Sequence, residues 1–152
     1  MASLLASATD AAHSAAVSLL TSAQAKAGSV GVPGAFTGAC SAQVPGYIKK
    51  YQEFTERGIK DIYIVGVNDV FVMKAWKEQL APSGTPIRFI ADDKGAFVGA
   101  LGMLFDASAL LGAPRSKRFV LITEGVQITH VIVEDQPGQV TVTAADKVLP
   151  HL

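Results

Sequence analysis

The sequence predicts an α/β fold in which helices flank a central mixed β-sheet. Short apolar runs of strand length alternate along the chain with segments whose apolar residues recur at helical spacing, and this alternation is typical of α/β domains. The chain has 152 residues, of which 49% are hydrophobic. This is enough to bury a core, so we expect one main domain.

The first part of the chain differs in composition from the rest. Residues 1–29 are rich in alanine and serine, and their spacing predicts one amphipathic helix over residues 7–26. Mitochondrial targeting segments are rich in arginine, which this stretch lacks, so we expect no mitochondrial address. Residues 25–32 contain two glycines and few β-branched side chains, which predicts a weak strand. We therefore place the main domain at residues 30–152.

The elements of the main domain follow one another with glycine, proline or capping residues between them. Asn68 or Asp69 is a suitable N-cap for the helix that follows, in which we expect Trp76 to face the core. The predicted helices are residues 47–57, 70–80, 96–104 and 143–152, the predicted strands are residues 61–67, 87–91, 117–122 and 127–133, and residues 107–115 form a loop or a short helix.

Composition excludes several classes of function. The 13 basic residues balance the 13 acidic ones, so the sequence predicts no nucleic-acid partner. No apolar run is long enough to cross a bilayer. A single cysteine and three scattered histidines predict no internal disulfide, no metal site and no cofactor. A free thiol is typical of a reducing compartment, and we expect the cytoplasm.

The only cysteine lies in a glycine-rich stretch that carries the candidate chemistry. Residues 33–41 read Pro-Gly-Ala-Phe-Thr-Gly-Ala-Cys-Ser, and we expect the loop to turn into a helix near Cys40. The unpaired N–H groups and partial positive charge of a helix start favour the thiolate, which is the reactive form. Thr37, three residues earlier, could bring its hydroxyl beside the sulfur. A lone cysteine is also commonly a buried, inert hydrophobe, and residue chemistry alone leaves both interpretations open.

This stretch resembles the active-site loop of a known family. Pro-Gly-Ala-Phe-Thr-x-x-Cys-Ser is similar to the loop of the atypical type-II branch of peroxiredoxins, in the redoxin superfamily. The resemblance covers residues 30–152 and implies a thioredoxin-like fold. It also implies a thiol-dependent peroxidase that reduces hydrogen peroxide and alkyl hydroperoxides, with Cys40 as the nucleophile and Pro33 shielding the sulfur from water.

The resemblance implies roles for further residues of the site. Thr37 would hold the peroxide or the thiolate through its hydroxyl. Arg118, which precedes an aromatic strand residue, would stabilise the thiolate and the transition state, and Arg115 is the second choice for this role. The backbone N–H groups of Ala39 and Cys40 would bind the peroxide oxygen, as an oxyanion hole does.

The cysteine count also bears on partners. Oxidation of Cys40 would give a sulfenic acid, and no second cysteine is present to resolve it. The resemblance therefore implies a one-cysteine mechanism with an external thiol reductant, either glutathione with glutaredoxin or thioredoxin. It further implies a homodimer formed through the active-site face. Residues 150–152 weakly resemble a peroxisomal C-terminal address, which makes the peroxisome the alternative compartment.

Two departures from the family pattern lie beside Cys40. Gly38 stands where the family has proline, and the stretch from Cys40 to Val44 is one residue short and lacks a histidine. A one-residue deletion rotates a helix by about 100° and could misdirect the sulfur. The alternative function is therefore a catalytically impaired relative that acts as a binding or structural protein, such as a holdase. A glutathione-binding or thiol-transferase role is a third hypothesis.

Overall fold

A five-stranded mixed sheet forms the centre of the fold. The computed structural model describes residues 25–152. The strands are β1 (Lys26–Val32), β2 (Ile59–Gly66), β3 (Arg88–Ala91), β4 (Leu104–Asp106), β5 (Pro114–Ser116), β6 (Phe119–Glu124) and β7 (Gln127–Val133). In the central sheet they lie in the order β3-β2-β1-β6-β7, with β1 parallel to β2 and antiparallel to β6, and a separate two-stranded sheet pairs β4 with β5.

Helices cover both faces of this sheet. On one face, buried side chains of β1, β2 and β6 pack against the larger helices, while Val65, Val98, Phe119 and Leu121 form a second cluster on the other face. The helices are α1 (Gly38–Lys49), α2 (Tyr51–Glu56), α3 (Val70–Leu80), α4 (Ala96–Ala100), α5 (Ser108–Leu111) and α6 (Ala145–Val148), followed by a 3₁₀ turn at Leu149–His151. The predicted α/β architecture with a mixed sheet is confirmed.

Strand β1 corrects the prediction of a weak strand. It begins at Lys26, upstream of residue 30, and lies in the middle of the sheet between β2 and β6. Its glycine content has a packing reason, because a Cβ at Gly31 would overlap the ring of Phe119 on the neighbouring strand. The helix predicted over residues 7–26 lies outside the described residues except for residues 25 and 26, and β1 begins at Lys26.

The expected helix start near Cys40 is present, but the predicted boundary at residue 47 is wrong. Instead of one helix over residues 47–57, α1 starts at Gly38 and continues through Pro45, and Lys50 separates it from α2. Pro45 lies on the exposed face of α1 and has no amide to donate to the Ser41 carbonyl, so the helix lacks one internal hydrogen bond there. The two helices are joined by a stack of the Tyr47 and Phe54 rings, whose centroids are 5.4 Å apart.

Most other boundaries agree with the sequence to within two residues. Helix α3 has the predicted bounds, Asp69 caps it by accepting from the Val72 amide at 2.9 Å, and Trp76 is fully buried. The prediction of a helix over residues 96–104 is wrong at its end, because Gly102 adopts a φ of 69° and the chain turns into β4. The final predicted helix is shorter and ends as the 3₁₀ turn. Between residues 25 and 152, no helix is long and apolar enough to span a membrane.

Candidate active site

The loop after β1 leads directly into the start of α1. Thr37 is the N-cap residue with an extended backbone, and the first helical hydrogen bond runs from the Ser41 amide to the Thr37 carbonyl at 2.9 Å. The amides of Gly38, Ala39 and Cys40 therefore have no acceptor within the helix, as is general for a helix start. These free donors lie beside the cysteine, where they can bind negative charge.

The backbone of this loop is held in a strained conformation. Phe36 has a φ of 65°, in the left-handed region that side chains with a Cβ rarely adopt. The neighbouring Ala35 amide donates to Asn68 Oδ1 at 3.1 Å, which ties the loop to the segment before α3. Tertiary contacts thus fix the position of the residues just before Cys40.

The structure brings Arg118 to Cys40 from 78 residues further along the chain. Arg118 Nη2 donates to Cys40 Sγ at 3.4 Å. Both residues are buried, with exposed fractions of 1% for Arg118 and 0% for Cys40. Arg118 comes just before β6, whose residue Phe119 pairs with Gly31 near the end of β1, and this register sets the guanidinium beside the start of α1.

The buried guanidinium has neutral acceptors besides the sulfur. Arg118 Nε donates to the Pro137 carbonyl at 3.0 Å, and Nη1 donates to Gln43 Oε1 at 2.6 Å. Between residues 25 and 152 no carboxylate lies within ion-pair distance of Arg118. A buried cation is costly unless it is paired. A Cys40 thiolate would supply the missing negative charge.

Gln43 is a site residue that sequence reasoning did not single out. It lies three residues after Cys40, on the same buried face of α1. Its Nε2 donates to the carbonyl of Thr143 at 3.1 Å and to Thr143 Oγ1 at 3.0 Å. The helical spacing from Cys40 is the only signal in the sequence that could have indicated Gln43, and no signal indicated Thr143.

The contacts of Thr143 continue to a buried carboxylate. Glu134 Oε1 accepts from the Thr143 amide at 3.0 Å and from its hydroxyl at 2.9 Å, and Oε2 accepts from the Thr141 hydroxyl at 2.6 Å. Burial pushes the pKa of Glu134 upward, but the hydrogen bonds from Thr141 and Thr143 outweigh it and hold the pKa below its ordinary value. Glu134 is therefore a carboxylate at neutral pH.

Thr37 lies at the site but does not contact the sulfur. Its hydroxyl donates to the Gly34 carbonyl at 2.7 Å, and between residues 25 and 152 it makes no hydrogen bond to Cys40. Because its proton is engaged, the Thr37 oxygen is free to accept a hydrogen bond from a ligand. Thr37 and Arg118 line a common cavity of about 390 Å³.

This cavity opens over the start of α1 and has a mostly apolar lining. Pro33 and Ala39 line it together with Thr37 and Arg118, whereas Cys40 lies behind this wall. The other lining residues come from β4, α5 and the loop after β7, and include Phe105, Leu110, Leu111 and Pro137. Four of the five residues implied for the site therefore surround one cavity, with the fifth directly beneath it.

Arg115, the second choice for the arginine role, lies elsewhere. Its Nη1 donates to the Val67 carbonyl and its Nη2 to the Leu111 carbonyl at 3.2 Å. It lines a different cavity, with Asn68 and Lys94, and makes no contact with Cys40. Arg115 joins the segment after β2 to the end of α5, so the described contacts favour Arg118 alone for the thiolate.

The two differences from the family pattern beside Cys40 do not move its sulfur away from Arg118. Cys40, Gln43, Val44 and Tyr47 form the buried face of α1 at helical spacing. Gly38 is exposed, with open space around it. The shortened stretch is thus absorbed within a continuous helix, and Gln43 takes a position next to the arginine.

Comparison with known proteins gives the same family as the motif. The Redoxin family matches residues 5–149 of the chain. A peroxisomal membrane associated protein 20 from Schizosaccharomyces pombe is 48% identical over 124 residues, which cover 81% of this chain and 80% of that protein. Peroxiredoxin-2C from Oryza sativa is 41% identical over 123 residues, covering 80% of this chain and 75% of that protein.

The chain belongs to the peroxiredoxins of the redoxin family.

A solved peroxiredoxin structure has the same fold. Reduced Prx3 from Vibrio vulnificus, solved in complex with hydrogen peroxide, has a TM-score of 0.79 and 36% sequence identity, and the match covers 88% of this chain and 86% of the other. The thioredoxin-like fold implied by the sequence is therefore confirmed. Peroxiredoxins are peroxidases, so this peroxiredoxin is an oxidoreductase that acts on peroxide.

Proposed function

We propose that this peroxiredoxin is a one-cysteine thiol peroxidase that reduces hydrogen peroxide and alkyl hydroperoxides at Cys40. The contact of Arg118 Nη2 with Cys40 Sγ at 3.4 Å carries the proposal, because it pairs the only thiol with a buried cation. The thiolate is the nucleophile that peroxide reduction requires, and a neighbouring cation would stabilise its charge during the attack.

In the proposed first half-reaction the Cys40 thiolate attacks the terminal oxygen of the hydroperoxide. A sulfur–oxygen bond forms while the oxygen–oxygen bond breaks, so the sulfur is oxidised to a sulfenic acid and the peroxide is reduced. The leaving alkoxide or hydroxide takes a proton from water and departs as an alcohol or water. Arg118 would stabilise the charge on the attacking sulfur and on the two oxygens.

The other residues of the loop are proposed to position the peroxide. The amides of Ala39 and Cys40 would donate to a peroxide oxygen, which their lack of helical acceptors supports. The Thr37 oxygen would accept the hydrogen bond from the hydroperoxide, since its own proton is engaged by Gly34. Pro33 lines the cavity and would keep water from the sulfur. These contacts would align the two oxygens with the sulfur.

An external thiol is proposed to complete the cycle. It would attack the sulfenic sulfur to give a mixed disulfide and water, and a second thiol would release reduced Cys40. The single cysteine of the sequence supports this route. Glutathione with glutaredoxin, or thioredoxin, would be the physiological reductant.

Peroxide consumption tests the proposed function directly. The protein is mixed with hydrogen peroxide or tert-butyl hydroperoxide and with dithiothreitol, glutathione plus glutaredoxin, or thioredoxin with its reductase. We expect catalytic consumption that is lost in Cys40→Ser. No consumption with any of the reductants would contradict the proposal.

The burial of Cys40 favours a second candidate function. With an exposed fraction of 0%, the sulfur is reached only through local movement of the loop or of Arg118. A chain in which this movement is rare would act as a binding or holdase-like protein. Slow oxidation of Cys40 together with suppression of aggregation of a client protein would support this candidate.

The assembly and the compartment are also proposed. Exposed apolar side chains beside the site support a homodimer through the active-site face, namely Phe36, Val70, Phe71 and Leu110. The cytoplasm is the proposed compartment, while the peroxisomal name of the S. pombe relative supports the peroxisome as the alternative. A fluorescent fusion with and without residues 150–152 distinguishes the two.

A further inference from the structure

Arg118 is not held at the sulfur by Cys40 alone. Its Nη1 donates to Gln43 Oε1 at 2.6 Å, and this bond fixes the plane of the guanidinium from which Nη2 reaches the sulfur. The position of Arg118 therefore depends on which end of the Gln43 amide faces it. An NH₂ group in that position would repel the cation, because both groups are donors.

Thr143 determines the orientation of the Gln43 amide. The Thr143 carbonyl is only an acceptor, so the group 3.1 Å from it must be the NH₂ of Gln43. The Thr143 hydroxyl gives its single proton to Glu134 Oε1 at 2.9 Å, so it too can only accept from Gln43, at 3.0 Å. Both contacts direct the Gln43 oxygen toward Arg118.

The resulting chain of hydrogen bonds runs in one direction. Arg118 donates to Gln43, Gln43 donates to Thr143, and Thr143 donates to the carboxylate of Glu134. Bonds aligned in this way polarise and strengthen one another in a buried environment. Arg118, Gln43, Thr143 and Glu134 are each at most 6% exposed, so water competes little for these bonds.

We infer that Gln43 and Thr143 are positioning residues, which orient the Arg118 guanidinium toward the Cys40 sulfur through an amide relay that ends on Glu134. The relay is defined as Gln43, Thr143 and Glu134. None of its members hydrogen-bonds the sulfur or lines the cavity, so the relay acts through Arg118. This inference rests on the proposed function, in which Arg118 activates Cys40 toward peroxide.

Four variants test the relay. Gln43→Leu removes the acceptor of Arg118, and Thr143→Val removes the hydroxyl while keeping the shape of the side chain. Thr143→Ser restores the hydroxyl. Thr141→Val is the matched control, because the Thr141 hydroxyl donates to the same carboxylate at 2.6 Å but does not contact Gln43.

The main measurement is the rate constant of Cys40 oxidation by hydrogen peroxide in a single turnover. We expect Gln43→Leu and Thr143→Val to lower it by about ten-fold or more, the effect of losing a buried hydrogen bond that holds a charged group. Thr143→Ser and Thr141→Val should stay within about two-fold of wild type. Thermal unfolding checks whether each variant is folded. If Gln43→Leu does not fold, the comparison between the Thr143 variants tests the relay.

Three kinetic results would each overturn the relay. The first is oxidation of Thr143→Val at the wild-type rate. The second is an equal loss of rate in Thr143→Val and Thr143→Ser, and the third is an equal loss in Thr143→Val and Thr141→Val, since either would indicate a structural role only.

A second measurement separates failure of the relay from failure of the proposed function. The thiolate fraction of Cys40 at neutral pH is read from its ultraviolet absorbance, with Cys40→Ser subtracted. If wild type does not react with peroxide, the proposed function fails, yet a lower thiolate fraction in Thr143→Val than in wild type still supports the relay. Equal fractions overturn it.

Discussion

Arg118 and Cys40 are the two residues on which the proposed chemistry depends. On its own, a buried cation such as Arg118 is costly, and a buried thiol such as Cys40 is commonly inert. In the proposed mechanism their contact at 3.4 Å changes this, because a thiolate formed at Cys40 would give the cation a counter-charge. Burial also weakens screening by water, so the pair is stronger than it would be on the surface.

The first prediction concerns the arginine. Arg118→Gln should lower the rate constant of Cys40 oxidation by peroxide by about 100-fold or more, the scale found when one charge-stabilising donor is removed. Single-turnover kinetics measures this rate. Arg88→Gln is the control, because Arg88 is exposed on β3 and should leave the rate unchanged. A rate in Arg118→Gln equal to wild type would exclude a role for the guanidinium.

The second prediction concerns Glu134 and the pH dependence of stability. The folded-state pKa of Glu134 is lowered, so its contribution to the free energy of unfolding is present above the unfolded pKa and is lost as pH falls through the folded pKa. Glu134→Gln should reduce the free energy of unfolding by about 1–2 kcal/mol at neutral pH, with a difference that shrinks on acidification. Urea unfolding at a series of pH values measures both.

An exposed acidic residue provides the control for this experiment. Glu56→Gln changes the same functional group at an exposed position and should leave the free energy of unfolding nearly unchanged at every pH. If the free energies of unfolding of wild type and Glu134→Gln differ by the same amount down to acid pH, the charge of Glu134 is not the source of its contribution to stability.

At the scale of elements, strand β1 and helix α1 together place the site. The strand runs through the centre of the sheet and ends just before Pro33, and the loop then turns into the helix that carries Cys40. Strand β6, antiparallel to β1, delivers Arg118 to the same end of the sheet. The site is thus built where two central strands and one helix start meet.

The third prediction tests why β1 contains glycine. The Phe119 ring lies directly over Gly31, so Gly31→Ala should lower the free energy of unfolding by about 1–3 kcal/mol, the usual cost of overpacking. Gly28→Ala is the matched control on the same strand, since its Cβ would meet Ile122 Cδ1 at an ordinary 3.7 Å. Urea unfolding compares the two. An equal change in both variants would contradict the packing explanation.

At the scale of the whole molecule, the exposed apolar side chains beside the cavity need a partner surface. Phe71 is 80% exposed and Leu110 is 87% exposed, and the Ala35 contact with Asn68 brings the loop of Phe36 close to the start of α3. Several large exposed apolar side chains in one region of the surface are typical of a protein interface. A second copy of the chain is the partner that the family resemblance implies.

The fourth prediction concerns this assembly. Phe71→Glu should convert a dimer into a monomer in sedimentation experiments, because a charge in an apolar interface is costly. Val126→Glu is the control, since Val126 is fully exposed in the turn between β6 and β7, at the end of the sheet opposite Pro33. Wild-type protein that sediments as a monomer would contradict the proposed dimer.

Local patterns in the sequence were sufficient for most elements, but not for every contact of the site. Helix α3 was predicted with its bounds because helical periodicity and capping are properties of neighbouring residues. The prediction of a weak strand at β1 is wrong because Gly31 leaves room for the ring of Phe119, and this contact with another strand is not a local property of the sequence.

Within the site, the cysteine motif was enough to indicate a role for Arg118 by resemblance. The contact between Gln43 and Thr143 joins residues 100 apart in the sequence. Isolated polar residues produce no periodic signal, so only the folded chain reveals that pairing.

The most direct test of peroxide reduction at Cys40 uses Trp76 as a reporter. Trp76 Nε1 donates to Ser41 Oγ at 3.1 Å, next to Cys40, and Trp76 is the only tryptophan in the chain. Rapid mixing of the reduced protein with hydrogen peroxide should change its fluorescence in proportion to peroxide, up to one equivalent per chain, and Cys40→Ser should give no change. A silent wild type whose Cys40 is still a free thiol by mass spectrometry after an excess of peroxide would contradict peroxide reduction at this residue.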